Sequence, residues 1–490
     1  MPSCVRRKKA DRCRATTLSI RLNALEQQSS LLSSLLSNGE SWTAEHFRDL
    51  PIHSLCYHVS NYPSECADLN SALSVQIPSS KGQAIGRSIV LGVAILLGFY
   101  FQFGIAWQYR ASINEGSPDF RNFYTAGKII ASGHADQLYD RDLQAQVQKS
   151  LFGASVKGDF NFLPYIHPPF EAIAYALLAL LPYTQAFWTL WVCNVLLAYA
   201  CVLILRSQIP NLHKAFGLVI LAMSIFKPLL TAEIQGQDSI FILLLFIVCL
   251  VGLTRERYLV AGAAIGLACC KPQQALLLLL ILMVISKSRW RILLAVGLTC
   301  LSMIAVSAAT VGVKATLGFP RAVRVFSALY SDTKDRANVM PNIRGLIVSL
   351  LDSRMSHHSV LLVIQIISAV VLVLTLWVLR RKAESDVGLR FALAVTCVVL
   401  VAFYGYAHDF TPLLLPLLLV WNFLAGEGVT TWNQRLLAAC VVILICGGLL
   451  SILPPQVMAC ATLLFFAFLW RELYASKRKT EAATPREALA

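Results

Sequence analysis

Long unbroken runs of Leu, Ile, Val, Ala and Phe, separated by short turns carrying Lys and Arg, dominate this chain from residue 88 onward. Such runs admit few folds. In a bilayer every backbone N–H and C=O must be satisfied by an α-helix or by a closed β-barrel. A barrel needs strands of about ten residues with alternating polarity, and these runs do not alternate. The chain is therefore expected to be all-α, a polytopic bundle of transmembrane helices. Composition agrees: 57% of the 490 residues are hydrophobic and 14% charged, against roughly 45–50% and 25% in soluble domains.

A net charge of +15 would raise nucleic acid as a partner in a soluble protein. Here the cations cluster in short connections between apolar runs, as the positive-inside rule expects. No basic module with interleaved aromatics stands apart from them. The expected partner is the lipid bilayer, not nucleic acid. Of the fourteen cysteines, ten (Cys193 to Cys460) lie in or beside apolar runs, where Cys behaves as a small hydrophobe. Cys4, Cys13, Cys56 and Cys66 precede the first run. Neither a disulfide framework nor a CxxC zinc pattern follows, and no metal or cofactor is expected.

Residues 1–85 read as a largely disordered cytoplasmic tail with a basic cluster at Arg6 to Arg14 and no secretory leader. A first span at about 88–107, with Lys81 and Arg87 on its near side, places residues 109–167 beyond the membrane. In that first extracytoplasmic loop the pattern predicts short amphipathic helices near 120–132 and 140–150, broken at Gly133 and Tyr139-Asp140. Further apolar segments follow at 168–181, 184–205, 214–226, 239–254, 258–270, 275–286 and 291–312. After a second polar loop at 314–342 come 345–351, 359–379, 388–406, 412–424, 435–453 and 456–470. About 11–13 of these are expected as membrane segments, and 168–181 and 345–351 are short enough to re-enter rather than cross. The membrane domain then covers 86–473, and 474–490 form a basic cytoplasmic tail.

Several polar groups interrupt these segments. Gln235-Gly236-Gln237-Asp238 and Lys271-Pro272-Gln273-Gln274 both fall on the far side, because Arg255-Glu256-Arg257 and Lys287 to Arg291 read as cytoplasmic. Polar breaks at membrane depth are tolerated where they are buried in protein or line a cavity, so they suggest a site. Asp119, in Ser117-Pro118-Asp119-Phe120-Arg121-Asn122-Phe123-Tyr124, could accept a proton from a hydroxyl. It could equally cap the helix that follows. Lys271, Arg344 and Arg121 are candidates for an anion clamp, since cations in membranes are costly and tend to be functional. His167 could bond a phosphate or be an interfacial residue. His408-Asp409 pairs two titratable groups at one helix end, with too few ligands for a metal.

These residues occur in a particular order: Asp119-Phe120, Phe123-Tyr124 and Ala126-Gly127, then Leu138-Tyr139-Asp140, then Tyr165 with Pro168-Pro169. Gln235-Gly236-Gln237, Gly262 and Gly266 before Lys271-Pro272-Gln273, and His408-Asp409 follow. Over roughly 86–425 this order resembles glycosyltransferase family 87, the polyprenyl-phosphate-mannose-dependent α-mannosyltransferases of the GT-C superfamily. The resemblance implies a GT-C type bundle, a catalytic aspartate that maps onto Asp119, and a lipid-donor groove between helices. It also implies a polyprenyl-phosphate-linked sugar donor, a glycolipid or glycan acceptor, and a bacterial plasma membrane with the site on its extracytoplasmic face. Two departures stand out. Asn342, in Pro341-Asn342-Ile343-Arg344-Gly345, occupies a place where members often carry serine, and the long N-terminal tail has no counterpart.

A lipid phosphate leaves without needing a proton, so one general base suffices, unlike glycoside hydrolysis with its two carboxyls. Asp119 takes that role in this reading. Lys271, Arg344 and His408 take the phosphate side, and Arg121, Tyr124, His167, Gln237 and Asp409 are expected to contact substrate. A secondary transporter is the alternative, since broken helices with polar residues are its signature too; the absence of an internal repeat counts against it.

Overall fold

The computed structural model describes residues 81–153, 162–330, 337–381, 386–447 and 454–482. The expectations for the tail up to residue 80, including its four cysteines, lie outside these residues. The described part begins with α1 (Lys81–Gln108) and α2 (Arg110–Asn114), followed by α3 (Phe120–Ala131) and α4 (Arg141–Phe152). Then come α5 (Pro169–Leu178), α6 (Tyr183–Leu205), α7 (Leu212–Ile225), α8 (Lys227–Gln235) and α9 (Ser239–Thr254). The centre is made by α10 (Tyr258–Leu267), α11 (Pro272–Ile285), α12 (Arg289–Val311), α13 (Val313–Tyr330) and α14 (Ile343–Leu351). The chain ends with α15 (His357–Arg381), α16 (Val387–Val401), α17 (Leu414–Glu427), α18 (Trp432–Cys446) and α19 (Pro455–Ala482). No strand occurs among the described residues. The protein is an all-α, multi-pass membrane bundle.

Among the described residues six helices are long and apolar enough to cross a bilayer: those at Ser88–Gln108, Tyr183–Leu205, Arg289–Val311, His357–Arg381, Ala407–Glu427 and Pro455–Ala475. A seventh forms if α7 and α8, bent by 56° at their junction, count as one. Six apolar helices of 10–17 residues accompany them. At 1.5 Å per residue these reach only about 15–25 Å, short of the roughly 30 Å hydrocarbon core. The shortness has a local cause. α8 and α10 stop, and α9 and α11 start, at the two polar breaks read from the sequence, and α16 stops just before Tyr404 and Tyr406; all these breaks line one cavity.

Proline sets several of the starts. Pro169, Pro228 and Pro272 each occupy one of the first two positions of a helix, where the missing N–H has no partner to lose. Between helices, small residues replace the hydrophobic effect that lipid removes. At the contact of α10 with α12, a Cβ added to Gly266 would lie 2.7 Å from Thr299 Cβ, and one at Gly262 would strike the Ile292 backbone. The Gly262-Gly266 spacing is thus a packing seam.

The first loop is more buried than an amphipathic surface helix would be. Phe120, Phe123 and Tyr124 on α3 pack with Tyr165, Tyr175, Tyr183 and Phe187 in one aromatic cluster, with the Phe123 and Tyr175 rings stacked at 4.7 Å. The break between α3 and α4 falls where expected: Gly133 takes φ +80°, and Asp140 caps α4 by accepting from Leu143 N at 3.0 Å. Two stretches differ from expectation. The second loop is largely helical, as α13, and the last helix continues past residue 474 to Ala482.

Candidate active site

A cavity of about 680 Å³ opens among the ends of these helices, lined by Asp119, His167, Gln237, Lys271, His408 and Asp409 with several neighbours. Asp119 precedes α3 with a helical backbone (φ −58°, ψ −24°), and its side chain makes no capping bond. An N-cap normally adopts extended dihedrals and accepts from the first turn. The cap role open from the sequence is therefore not what the side chain does. Its Oδ2 accepts from Gln237 Nε2 at 2.7 Å, its backbone N–H donates to Gln235 Oε1 at 2.9 Å, and the side chain stays 30% exposed.

Gly236 makes that double contact possible. It closes α8 in the left-handed region at φ +63°, a conformation glycine adopts without strain. A Cβ there would lie 2.7 Å from Phe120 Cβ. The turn therefore presses directly on the start of α3 and delivers Gln235 and Gln237 to either side of Asp119.

Lys271 lies where α10 yields to α11, buried to 4% exposure. Its ammonium is 3.0 Å from Asp238 Oδ1, donates to Ser239 Oγ at 2.7 Å and donates to Asp409 Oδ1. Two carboxylates thus balance one cation in a low-dielectric interior, where an unpaired charge would be costly. Asp409 is held from its other side as well: Oδ2 accepts from Tyr406 N at 3.0 Å and lies 3.4 Å from His408 Nε2. The opposite edge of that imidazole, Nδ1, is 4.0 Å from Asp119 Oδ2. His408 therefore stands between the two aspartates.

His167, just ahead of α5, bonds Glu171 Oε2 through Nδ1 at 3.0 Å and packs against Phe123 at 4.6 Å between ring centroids. Burial disfavours its protonated form, but the Glu171 carboxylate outweighs burial and raises its pKa above the ordinary imidazole value. The ligand atoms of His167, Glu171 and Asp238 lie within 4.8 Å of one another, a set that could hold a divalent cation. The same side chains are already engaged in the His167–Glu171 and Lys271–Asp238 pairs.

Residues 165–403 match the family model of glycosyltransferase family 87. The match covers just under half of the chain and supports glycosyltransferase family 87 as the family of this protein. The protein is a membrane glycosyltransferase, which uses a sugar donor and an acceptor in a bilayer setting. Among curated proteins the chain finds no match.

Not every residue singled out in this family 87 sequence faces the cavity. Tyr124 donates to Leu181 O at 2.8 Å within the aromatic cluster, and Arg121 lies toward Tyr183 on that side of α3; neither lines the cavity. Arg344 is buried with its guanidinium over the rings of Phe403 at 4.0 Å and Tyr404 at 5.3 Å. It sits behind Tyr404, whose own side lines the cavity. Asn342 is fully buried: it caps α14 by accepting from Gly345 N at 3.0 Å and ties that helix to Ala402 O at 2.7 Å. Asparagine meets that capping need as serine does.

Asp238 and Gln235 were named from the sequence only as members of a polar break, with no role of their own, and Glu171 was not singled out. A usable signal existed for Asp238. A buried lysine requires counter-charges, and Asp238 closes the polar break nearest to Lys271 along the chain. Beside the cavity runs a narrow apolar groove past Pro341, Ile443, Leu444, Val457 and Met458, sharing Val339 and Ala407 with it.

Proposed function

We propose that this glycosyltransferase moves a hexose, mannose in the first instance, from a polyprenyl phosphate to a hydroxyl of a glycolipid or glycan, with inversion and with Asp119 as general base. The observation that carries the reading is the Asp119 carboxylate: it lines the cavity, is oriented by Gln237 at 2.7 Å and remains partly exposed. The adjoining apolar groove supports a lipid-linked donor, since an isoprenoid chain needs an apolar bed beside the reacting sugar.

In this mechanism Asp119 takes the proton from the acceptor hydroxyl as its oxygen bonds to the anomeric carbon. The bond from that carbon to the phosphate oxygen breaks on the opposite face, and the electron pair leaves with the phosphate. A β-linked donor then gives an α-linked product. His408, between Asp119 and Asp409, is the next group in line for the proton. Lys271 is neutralised by its two aspartates and organises the cavity rather than clamping phosphate. The reading keeps a membrane domain at 86–473 with cytoplasmic termini at 1–85 and 474–490, in a bacterial plasma membrane with the cavity on the extracytoplasmic face.

The test is transfer of labelled mannose from polyprenyl-phosphate-mannose in membranes carrying the wild type or Asp119→Asn. Removing a general base should lower kcat by about 10²–10⁴-fold with little change in donor KM. Equal rates would remove Asp119 as the base, and no transfer by the wild type would remove the donor assignment.

A further inference from the structure

We propose that Lys227 holds the phosphate of the lipid-linked donor, at the junction of the apolar groove and the polar cavity. This rests on the glycosyl-transfer reading above and names the cation that reading lacks. Transfer from a lipid phosphate needs positive charge at the leaving oxygens, and the cations singled out from the sequence are otherwise occupied. Lys271 is engaged by Asp238 and Asp409. Arg344 lies against Phe403 and Tyr404 and does not line the cavity.

Lys227 is differently placed. Among the described residues it is the one charged group lining the apolar groove, and it pairs with no carboxylate among them. It opens α8 directly at the 56° bend from α7. Lys227, Thr231 and Gln235 are spaced i, i+4, i+8 and so share one helix face. Along that face the lining passes from the groove, at Lys227, to the cavity, at Thr231 and Gln235. Gln235 is the residue that accepts from Asp119 N. Eight residues of helix rise about 12 Å, a span that a lysine side chain and a hexosyl phosphate fill together. The isoprenoid chain lies in the groove, the phosphate meets the Lys227 ammonium, and the sugar projects along α8 toward Asp119. Val339 and Ala407 line both spaces, so the two lie side by side, as one ligand reaching into both requires.

The experiment uses the full-length protein in nanodiscs and measures binding of polyprenyl monophosphate, which lacks the sugar, to wild type, Lys227→Gln and Lys227→Arg. Retained helicity and a monodisperse particle serve as the folding check. The Gln variant should bind about tenfold or more weakly, the loss expected for one charge-assisted contact. The Arg variant should keep most of the affinity and, if Gln fails to fold, is compared with Lys227→Met instead. Unchanged binding by the neutral variant overturns the assignment. A parallel arm measures phosphatidylglycerol; equal weakening toward both lipids overturns it too, by making Lys227 a headgroup contact of the bulk bilayer. Selective weakening toward polyprenyl monophosphate supports the site even if the wild type transfers no sugar, an outcome that removes only the transfer reading.

Discussion

Gln237 Nε2 donates to Asp119 Oδ2 across 2.7 Å, joining the break after α8 to the head of α3 across 118 residues of chain. This bond aims the carboxylate into the cavity. Gln237→Leu should therefore lower kcat by roughly 10–100-fold, the effect of losing one hydrogen bond to a charged group, while donor KM stays near the wild-type value. Steady-state kinetics with varied donor check this; a change in KM alone would place Gln237 on substrate rather than on Asp119.

The Lys271 cluster predicts a stability effect. Lys271→Met leaves Asp238 and Asp409 buried without their shared cation, which should cost about 3–5 kcal/mol. Thermal unfolding in detergent would show it as a marked drop in Tm. Adding Asp409→Asn to the same chain should recover part of the loss, since it removes one of the stranded charges.

Gly236→Ala tests the turn. The left-handed φ of +63° and the close approach to Phe120 together should destabilise the protein by about 1–3 kcal/mol. Because the turn carries Gln235 and Gln237, transfer activity should fall further than the fraction of folded protein does. Comparing specific activity per folded molecule, from unfolding curves and rates, separates the two effects.

A pH dependence follows from His167. Its pKa is raised in the folded state by Glu171, against the effect of burial. A histidine shifted upward contributes stability fully present below its unfolded value of about 6.5, and that contribution is lost as pH rises through the folded value. Tm should therefore decline with rising pH over that window. In Glu171→Gln the decline should flatten; an equal slope in both proteins would assign the dependence to another group.

The fold class, the positions of most helices and the polar breaks at Gln235 to Asp238 and at Lys271 are legible in the amino-acid sequence. Those follow from local rules: apolar runs must be helical in lipid, proline starts helices, and polar residues inside such runs need a sheltered reason. The sequence also marked Asp119, as base or helix cap, and Lys271, as part of an anion clamp. Tertiary structure shows what each side chain touches. Whether Asp119 caps α3 depends on its dihedrals and on Gln237, 118 residues away. Whether Lys271 is available to an anion depends on Asp409, 138 residues away. No local pattern contains those partners, because charge balance in a low-dielectric interior is settled between helices and not along one of them. The same reason left Lys227 unremarked: in the chain it is a lysine before a proline, and only the bend of α8 makes it the charged residue of an apolar groove.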